Sequence, residues 1–398
     1  MILTDTQQAM LDGVCGRAAQ KSMEILAALG KIYGAEELIP VSSVQIAGVS
    51  YSNLGEAGLQ FLAEMADNGG QVKVLTTLNP AGMDIENWQN LGISEEFARN
   101  QTRVIDAFSK MGVATTCSCT PYLIGNVPLF GQHIAWSESS AVCFGNSVLG
   151  ARTNREGGPS ALASAITGFT PAYGMHLNQN RVPQIHFNVT AKVSGTHMFG
   201  ALGKAIGEQI EKRGHRPVPI LTGITRASLE ELKSFCASIA TYGGTALFHM
   251  VNITPEAGGF TLPAEQIEIN SLALDQSINT LSDPAPEADF ISLGCPHLSL
   301  NEIAHLAQLL QGRKVTKEFW ITTARPIKQM ADRMGYSAII EGAGAKFAAD
   351  TCCVVAPIKG RFNTLVTDSA KACYYARGKN GFQTRFRSFE EVVEEATR

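Results

Sequence analysis

The chain has 398 residues, 45% of them hydrophobic and 17% charged, with a formal net charge of −4. That length supports two or three packed domains, and that balance excludes a disordered tail or a coiled coil. No run of Lys or Arg exceeds two, and no apolar stretch reaches the roughly 18 residues of a membrane-spanning helix, so neither nucleic acid nor membrane is an expected partner.

Met1 to Gln8 lacks a basic start and an apolar core, so no signal peptide is expected and the reading is cytoplasmic. Thr4 with Gln7 forms a capping-box pattern that opens helical periodicity through Leu29. An apolar run, Val41 to Val49, ends in Gly48, Val49, Ser50 and Tyr51. Asn53 to Asp67 reads as a helix and Gln71 to Leu78 as a strand, stopped by the turn signal Asn79, Pro80, Ala81, Gly82. Ser94 to Lys110 is a predicted helix, and Val113 to Thr116 a short predicted strand before Cys117, Ser118 and Cys119. Then come strand His186 to Val193, helix Gly200 to Lys212, strand Pro217 to Leu221, a helix capped by Ser228 and Glu231, and strand Ala246 to Asn252. Asp289 to Leu293 is a strand that runs into Gly294, Cys295, Pro296 and His297. Ser299 with Glu302 caps a helix to Leu310, followed by strand Glu318 to Thr323 and helix Ile327 to Met334. Cys352 to Ala356 reads as a strand after Gly342, Ala343 and Gly344, and Ser388 with Glu391 opens the last helix.

This alternation predicts an α/β fold, multidomain layers with mostly parallel sheets. Loops at the C-terminal strand ends are then the places for chemistry. A domain boundary is expected in the stretch Pro255 to Leu262, giving regions 1–255 and 256–398, with a further breakpoint near Pro284 to Ala288.

Nine cysteines, an odd number at irregular spacings, suit metal ligation or burial better than disulfides. Cys15, Cys143, Cys236 and Cys373 lie in helical patterns or beside bulky residues and read as small buried hydrophobes. Cys119, Cys295, Cys352 and Cys353 lie in loops or at element ends. Cys295 stands near the helix start at Ser299, where free N–H groups and the helix dipole favour a thiolate. Thiolates are the ligands of iron–sulfur clusters. The spacing is unlike compact ferredoxin runs, so a three-cysteine metal site and inert burial both stay open. Three ligands would leave one iron of a four-iron cluster free to bind a hydroxyl as a Lewis acid, while a base takes a proton from the neighbouring carbon.

Two glycine-rich segments do not bind nucleotides on this reading. Gly195 to Gly200 is followed by Ala201 and Leu202, and Gly342 to Phe347 lacks a third glycine. The histidines show no metal spacing, and each reads as structural. The segment His133 to Pro159 mixes polar and apolar residues; its buried polar groups need partners, either a ligand or a structural network.

Several segments together resemble the aconitase X family. They are Met23 to Leu26 with Gly30 to Gly34, Ala47 to Tyr51, Thr76 to Asp84, Cys119 to Tyr122, Ala135 to Val142, Ser147 to Pro159, Gly294 to His297, and Asp350 to Cys352. The resemblance implies a hydro-lyase with an iron–sulfur cluster, expected as 4Fe-4S, on Cys119, Cys295 and Cys352. Cys117 and Cys353 are adjacent thiols that blur two of these assignments. In the two-subunit archaeal type it implies dehydration of (R)-5-phosphomevalonate to trans-anhydromevalonate 5-phosphate, a step of an alternative mevalonate route to isoprenoids. Carried over residue by residue, it places Gly48, Val49, Ser50, Asn79 and Pro80 at a small anionic hydroxy-acid substrate, with Glu138, Ser139 and Lys371 as further candidates. Region 1–255 then holds the substrate loops and the first cluster cysteine, and region 256–398 the other two. The resemblance also implies a heterodimer, in which a small swivelling-domain subunit supplies the proton acceptor. The alternatives are a cis-3-hydroxy-L-proline dehydratase subunit and, in another class, a non-catalytic iron–sulfur sensor.

Overall fold

A computed structural model of the chain describes residues 1–284 and 287–398. The four predicted capping boxes all form. At Thr4, Ser228, Ser299 and Ser388 the hydroxyl accepts the N–H three residues on, and the Gln or Glu there reaches back to the cap N–H. They open helices Asp5–Leu11, Leu229–Gly243, Leu300–Leu310 and Phe389–Thr397.

The strands, in chain order, are β1 (Leu38–Pro40), β2 (Ser43–Ile46), β3 (Leu75–Leu78), β4 (Ala135–Trp136), β5 (Phe169–Pro171), β6 (Ile185–Val189), β7 (Pro219–Thr222), β8 (His249–Met250), β9 (Gln266–Ile269), β10 (Phe290–Leu298), β11 (Glu318–Thr323), β12 (Lys346–Ala349), β13 (Thr364–Thr367) and β14 (Gln383–Phe386). They build a first sheet ordered β3-β2-β4, a middle sheet β8-β7-β6-β9 and a third sheet β12-β11-β10-β13-β14. Every pairing within these three sheets is parallel, as the alternation of strands and helices requires. A separate antiparallel pair joins β1 and β5.

Strand residues such as Ile46, Leu78, Phe187, Leu221, Ile291 and Ile321 are buried under helices. The helix Glu95–Lys110 shows how: Ala98, Gln101, Val104, Ile105 and Phe108 recur at helical spacing and face inward. Gln101 is the polar member of that stripe. Its Oε1 accepts the N–H groups of Tyr51 (3.0 Å) and Gly82 (2.9 Å), and its amide donates to the Val49 carbonyl at 3.0 Å. One buried side chain thus clamps two loops that leave the first sheet.

Three expectations are corrected. Val113 to Thr116 is reduced to a single bridge between Thr77 and Ala114, because Cys117 adopts a left-handed backbone with φ 43° and turns the chain away. Cys352 to Ala356 is a turn rather than a strand. Gly344 caps the preceding helix, β12 occupies 346–349, and Asp350, at φ 65°, bends the chain out of the sheet. The boundary at 255/256 falls on the connection from β8 to β9 within the middle sheet, so its Gly and Pro residues mark a loop. The breakpoint near Pro284 to Ala288 includes Ala285 and Pro286, which lie outside the described residues. Among the described residues, no helix is long and apolar enough to cross a membrane.

Candidate active site

The C-terminal ends of the first and third sheets meet at a cavity of about 190 Å³. That is below the roughly 300–1,000 Å³ of pockets for drug-sized ligands and suits a small acid better than a nucleotide. The first sheet contributes Asn79 and Pro80 after β3 and Glu138 after β4. The third contributes Gly294, Cys295 and Pro296 from β10, Cys352 beyond β12, and Lys371 beyond β13.

Three thiols, Cys119, Cys295 and Cys352, line this one cavity. Their neighbours face elsewhere. Cys117 packs into the core of the first sheet, and Cys353 into the core around Met83, Phe290 and Trp320. Cys119 has a donor on its sulfur, and polar groups near the other two favour their thiolates. The His297 N–H lies 3.2 Å from Cys119 Sγ, the Ser369 hydroxyl is beside Cys295, and the N–H groups of Val354 and Val355 are beside Cys352. Burial nevertheless dominates. It pushes the Cys295 thiol up to about 12, raises Cys352, and holds Cys119 well above the usual thiol range. The expected thiolate at Cys295 is therefore corrected: the residue lies within β10 as that strand's one half-buried position, and desolvation of its thiol is the largest influence on it.

A bound cation reverses that balance, since a coordinated thiol is deprotonated outright. Among the described residues, no three His, Cys, Asp or Glu side chains converge closely enough for a single ion. The three thiols instead border a volume. That arrangement fits a polynuclear cluster, in which each thiolate binds a different iron.

Glu138 and Lys371 form an ion pair across the cavity wall, at 6% and 8% exposure. The carboxylate caps the helix Ser139–Ser147, accepting the Ala141 N–H at 2.9 Å and the hydroxyls of Ser139 (3.3 Å) and Ser140. Burial acts to raise its pKa, but Lys371 and these donors outweigh it and hold the carboxyl below its ordinary value. Burial likewise opposes the charge on Lys371, and Glu138 overcomes it, holding the ammonium above its ordinary range. Lys371 is thus a buried, neutralised cation. Asn79 adds an unpartnered buried amide oxygen, Oδ1.

The structure does not bring every candidate to this cavity. Gly48 lines a separate apolar pocket with Ile46, Leu54, Phe61 and Phe108. Val49 is buried in the core of the first sheet. Ser50 donates to the carbonyl of Val355, which does line the cavity, at 3.2 Å. Ser139 reaches it only through Glu138. Two N–H groups of the Asn79 turn are already engaged: Asn79 N–H bonds Ile46 at 2.8 Å, and Ala81 N–H bonds Asp350 at 2.8 Å. Lining residues that the sequence reading omitted include Asn53, Tyr375 and Lys379. Lys371, Tyr375 and Lys379 recur every four residues, along helix Ala370–Tyr375 and the π-helical turn Ala376–Asn380 that continues it. That periodicity was the available signal.

Behind the cavity, Arg325 joins Asp84, at 2.5 Å, to Asp350. Asp84 also accepts the Ala349 N–H at 2.9 Å. This network bolts the Asn79 turn onto the end of β12.

Family models described as the aconitase X first, second and third domains match residues 1–179, 183–279 and 288–398. The chain belongs to the aconitase X family. Among its aconitase X relatives, the phosphomevalonate dehydratase large subunit of Methanothermobacter thermautotrophicus is 45% identical, over 98% of both chains. The protein of the same name from Methanocaldococcus jannaschii is 44% identical over 99% of both. The cis-3-hydroxy-L-proline dehydratase of Pseudomonas aeruginosa is 32% identical, over 98% of this chain and 69% of its own length. The crystal structure of Thermococcus kodakaraensis aconitase X (holo-form) superposes with a TM-score of 0.93 at 42% identity, covering both chains completely.

Proposed function

We propose that this chain is the large subunit of an iron–sulfur phosphomevalonate dehydratase, a hydro-lyase of the mevalonate pathway. The observation that carries the reading is one cavity bordered by Cys119, Cys295 and Cys352, in a chain matched end to end by large subunits of that name. A cluster held by three thiolates keeps one iron open, which supplies a Lewis acid for a departing hydroxyl.

The chain's own groups bind and orient. Glu138 fixes Lys371, so that cation is already neutralised within the wall. Lys379 is the cavity's other cation, and its Nζ donates to the Val354 carbonyl at 2.8 Å. On this reading Lys379 faces the substrate phosphate, and the Asn79 amide orients the hydroxy-acid portion. Glu138 has its acceptor sites filled by Lys371, Ser139, Ser140 and Ala141, which leaves it poorly placed to take a substrate proton. That supports a proton acceptor on a small swivelling-domain partner, in keeping with the relatives' name. Nine free cysteines accord with a reducing compartment, the cytoplasm.

The test is anaerobic co-expression with the small subunit and parallel assays on (R)-5-phosphomevalonate and cis-3-hydroxy-L-proline. Turnover of the phosphorylated acid is expected, together with a Lys379→Ala variant whose KM rises at least tenfold while kcat changes less. Turnover of hydroxyproline alone would overturn the substrate assignment. Turnover by the isolated, cluster-loaded chain would overturn the partner-borne base.

A further inference from the structure

The geometry points to His297 as the positioning residue that holds the three cavity thiols in one constellation. The inference rests on the iron–sulfur reading above and assigns a role to a residue outside the ligand set. His297 is fully buried, and both ring nitrogens and both of its backbone polar groups are engaged.

The bonds fix the tautomer. Nε2 lies 2.9 Å from the Thr351 carbonyl, which can only accept, so Nε2 carries the proton. Nδ1, 3.2 Å from Ser118 Oγ, then accepts from that hydroxyl. Ser118 Oγ in turn accepts the Thr120 N–H at 3.2 Å. The ring therefore spans from the residue before Cys119 to the residue before Cys352. The His297 N–H donates to Cys119 Sγ at 3.2 Å, and Cys295 is two residues earlier on β10. From behind, Lys233 Nζ donates to the His297 carbonyl at 2.8 Å and pairs with Glu302.

Two of the thiols arrive on loops and the third on β10, and each of these segments meets this one side chain or its backbone. Ligand-orienting partners of this kind typically change metal affinity by about 10–100-fold when removed. His297 is distinctive in tying the Cys119 and Cys352 loops together through a single imidazole while sharing β10 with Cys295.

The test uses the full chain, loaded anaerobically with iron and sulfide, with its small subunit present. Iron per chain, the rate of iron loss to a chelator and the cluster's EPR spectrum are read for His297→Ala, His297→Gln and the unmodified protein. The alanine variant should lose iron at least tenfold faster, with an altered spectrum. The glutamine variant, whose Nε2 can still reach the Thr351 carbonyl, should recover part of the difference. An alanine variant with the unmodified loss rate and spectrum overturns the inference. Where it fails to fold, Ser118→Ala removes the Nδ1 tie together with that hydroxyl's bonds to Thr120 and leaves the imidazole in place; an unchanged loss rate there overturns the inference equally. A failure of the unmodified protein to retain iron is a different result, since it removes the iron–sulfur reading itself.

Discussion

The three sheets are built alike but used differently. All are parallel and covered by helices, yet only the first and third send residues into the cavity from their C-terminal strand ends. The middle sheet contributes none of the lining residues. Its C-terminal ends carry a separate polar pocket bordered by Lys192, Arg226 and Glu231. Its helix Leu229–Gly243 reaches the site only indirectly, when Lys233 supports the His297 carbonyl. Strand-end position is therefore permissive. What makes a strand end functional here is its confrontation with a second sheet, which buries polar groups between the two and forces them to find partners.

Four substitutions probe that contrast. The largest effect is expected at Cys352, where serine should abolish iron retention and turnover. At its neighbour Cys353, which faces the core, serine should leave both intact and lower stability by about 1–3 kcal/mol, the typical cost of an unpartnered buried polar group. Equal iron contents in the two variants would erase the distinction between cavity and core.

Lys371→Met should come next. It strands Glu138 as an unpaired buried carboxylate, at a cost of about 3–5 kcal/mol. The sign of the pH dependence should also reverse. In the natural chain the Glu138 pKa is held below its ordinary value, so the pair's contribution is present above the unfolded carboxyl's pKa and is lost as pH falls through the folded value. In the variant the Lys371 charge is gone and burial is opposed only by Ser139, Ser140 and the Ala141 N–H, so the folded value rises and stability falls as pH rises through it. Denaturant melts from about pH 2 to about pH 8 in both proteins read this directly; parallel curves would remove Lys371 as the cause. The smallest effect belongs to Arg226→Ala at the middle sheet, expected within about 0.5 kcal/mol of the parent with unchanged KM. A marked KM change would bring the middle sheet's strand ends into the site.

Much of the scaffold was legible because its signals are local. Capping boxes at Ser228, Ser299 and Ser388 depend on residues three apart, and β11 was read at its observed ends, Glu318 and Thr323. The cavity was less legible because its determinants are not local. Nothing beside Cys119 and Cys117 says which one faces the cavity; the left-handed turn at Cys117 decides it. Cys352 to Ala356 is apolar enough for a strand, but Asp350 is drawn aside by Arg325 and Asp84, residues distant in sequence. Nothing local to Lys371 marks it as buried, because its partner Glu138 lies 233 residues earlier.

That separation has a consequence for how the protein is made. Glu138 emerges from the ribosome long before Lys371, and Cys119 long before Cys352. A nascent chain therefore carries an uncompensated carboxylate until Lys371 is made, and an incomplete set of site thiols, Cys119 alone and then Cys119 with Cys295, until Cys352 is made. On the iron–sulfur reading, cluster loading follows the emergence of Cys352, and a chain truncated before that residue should be an apoprotein whatever the iron supply.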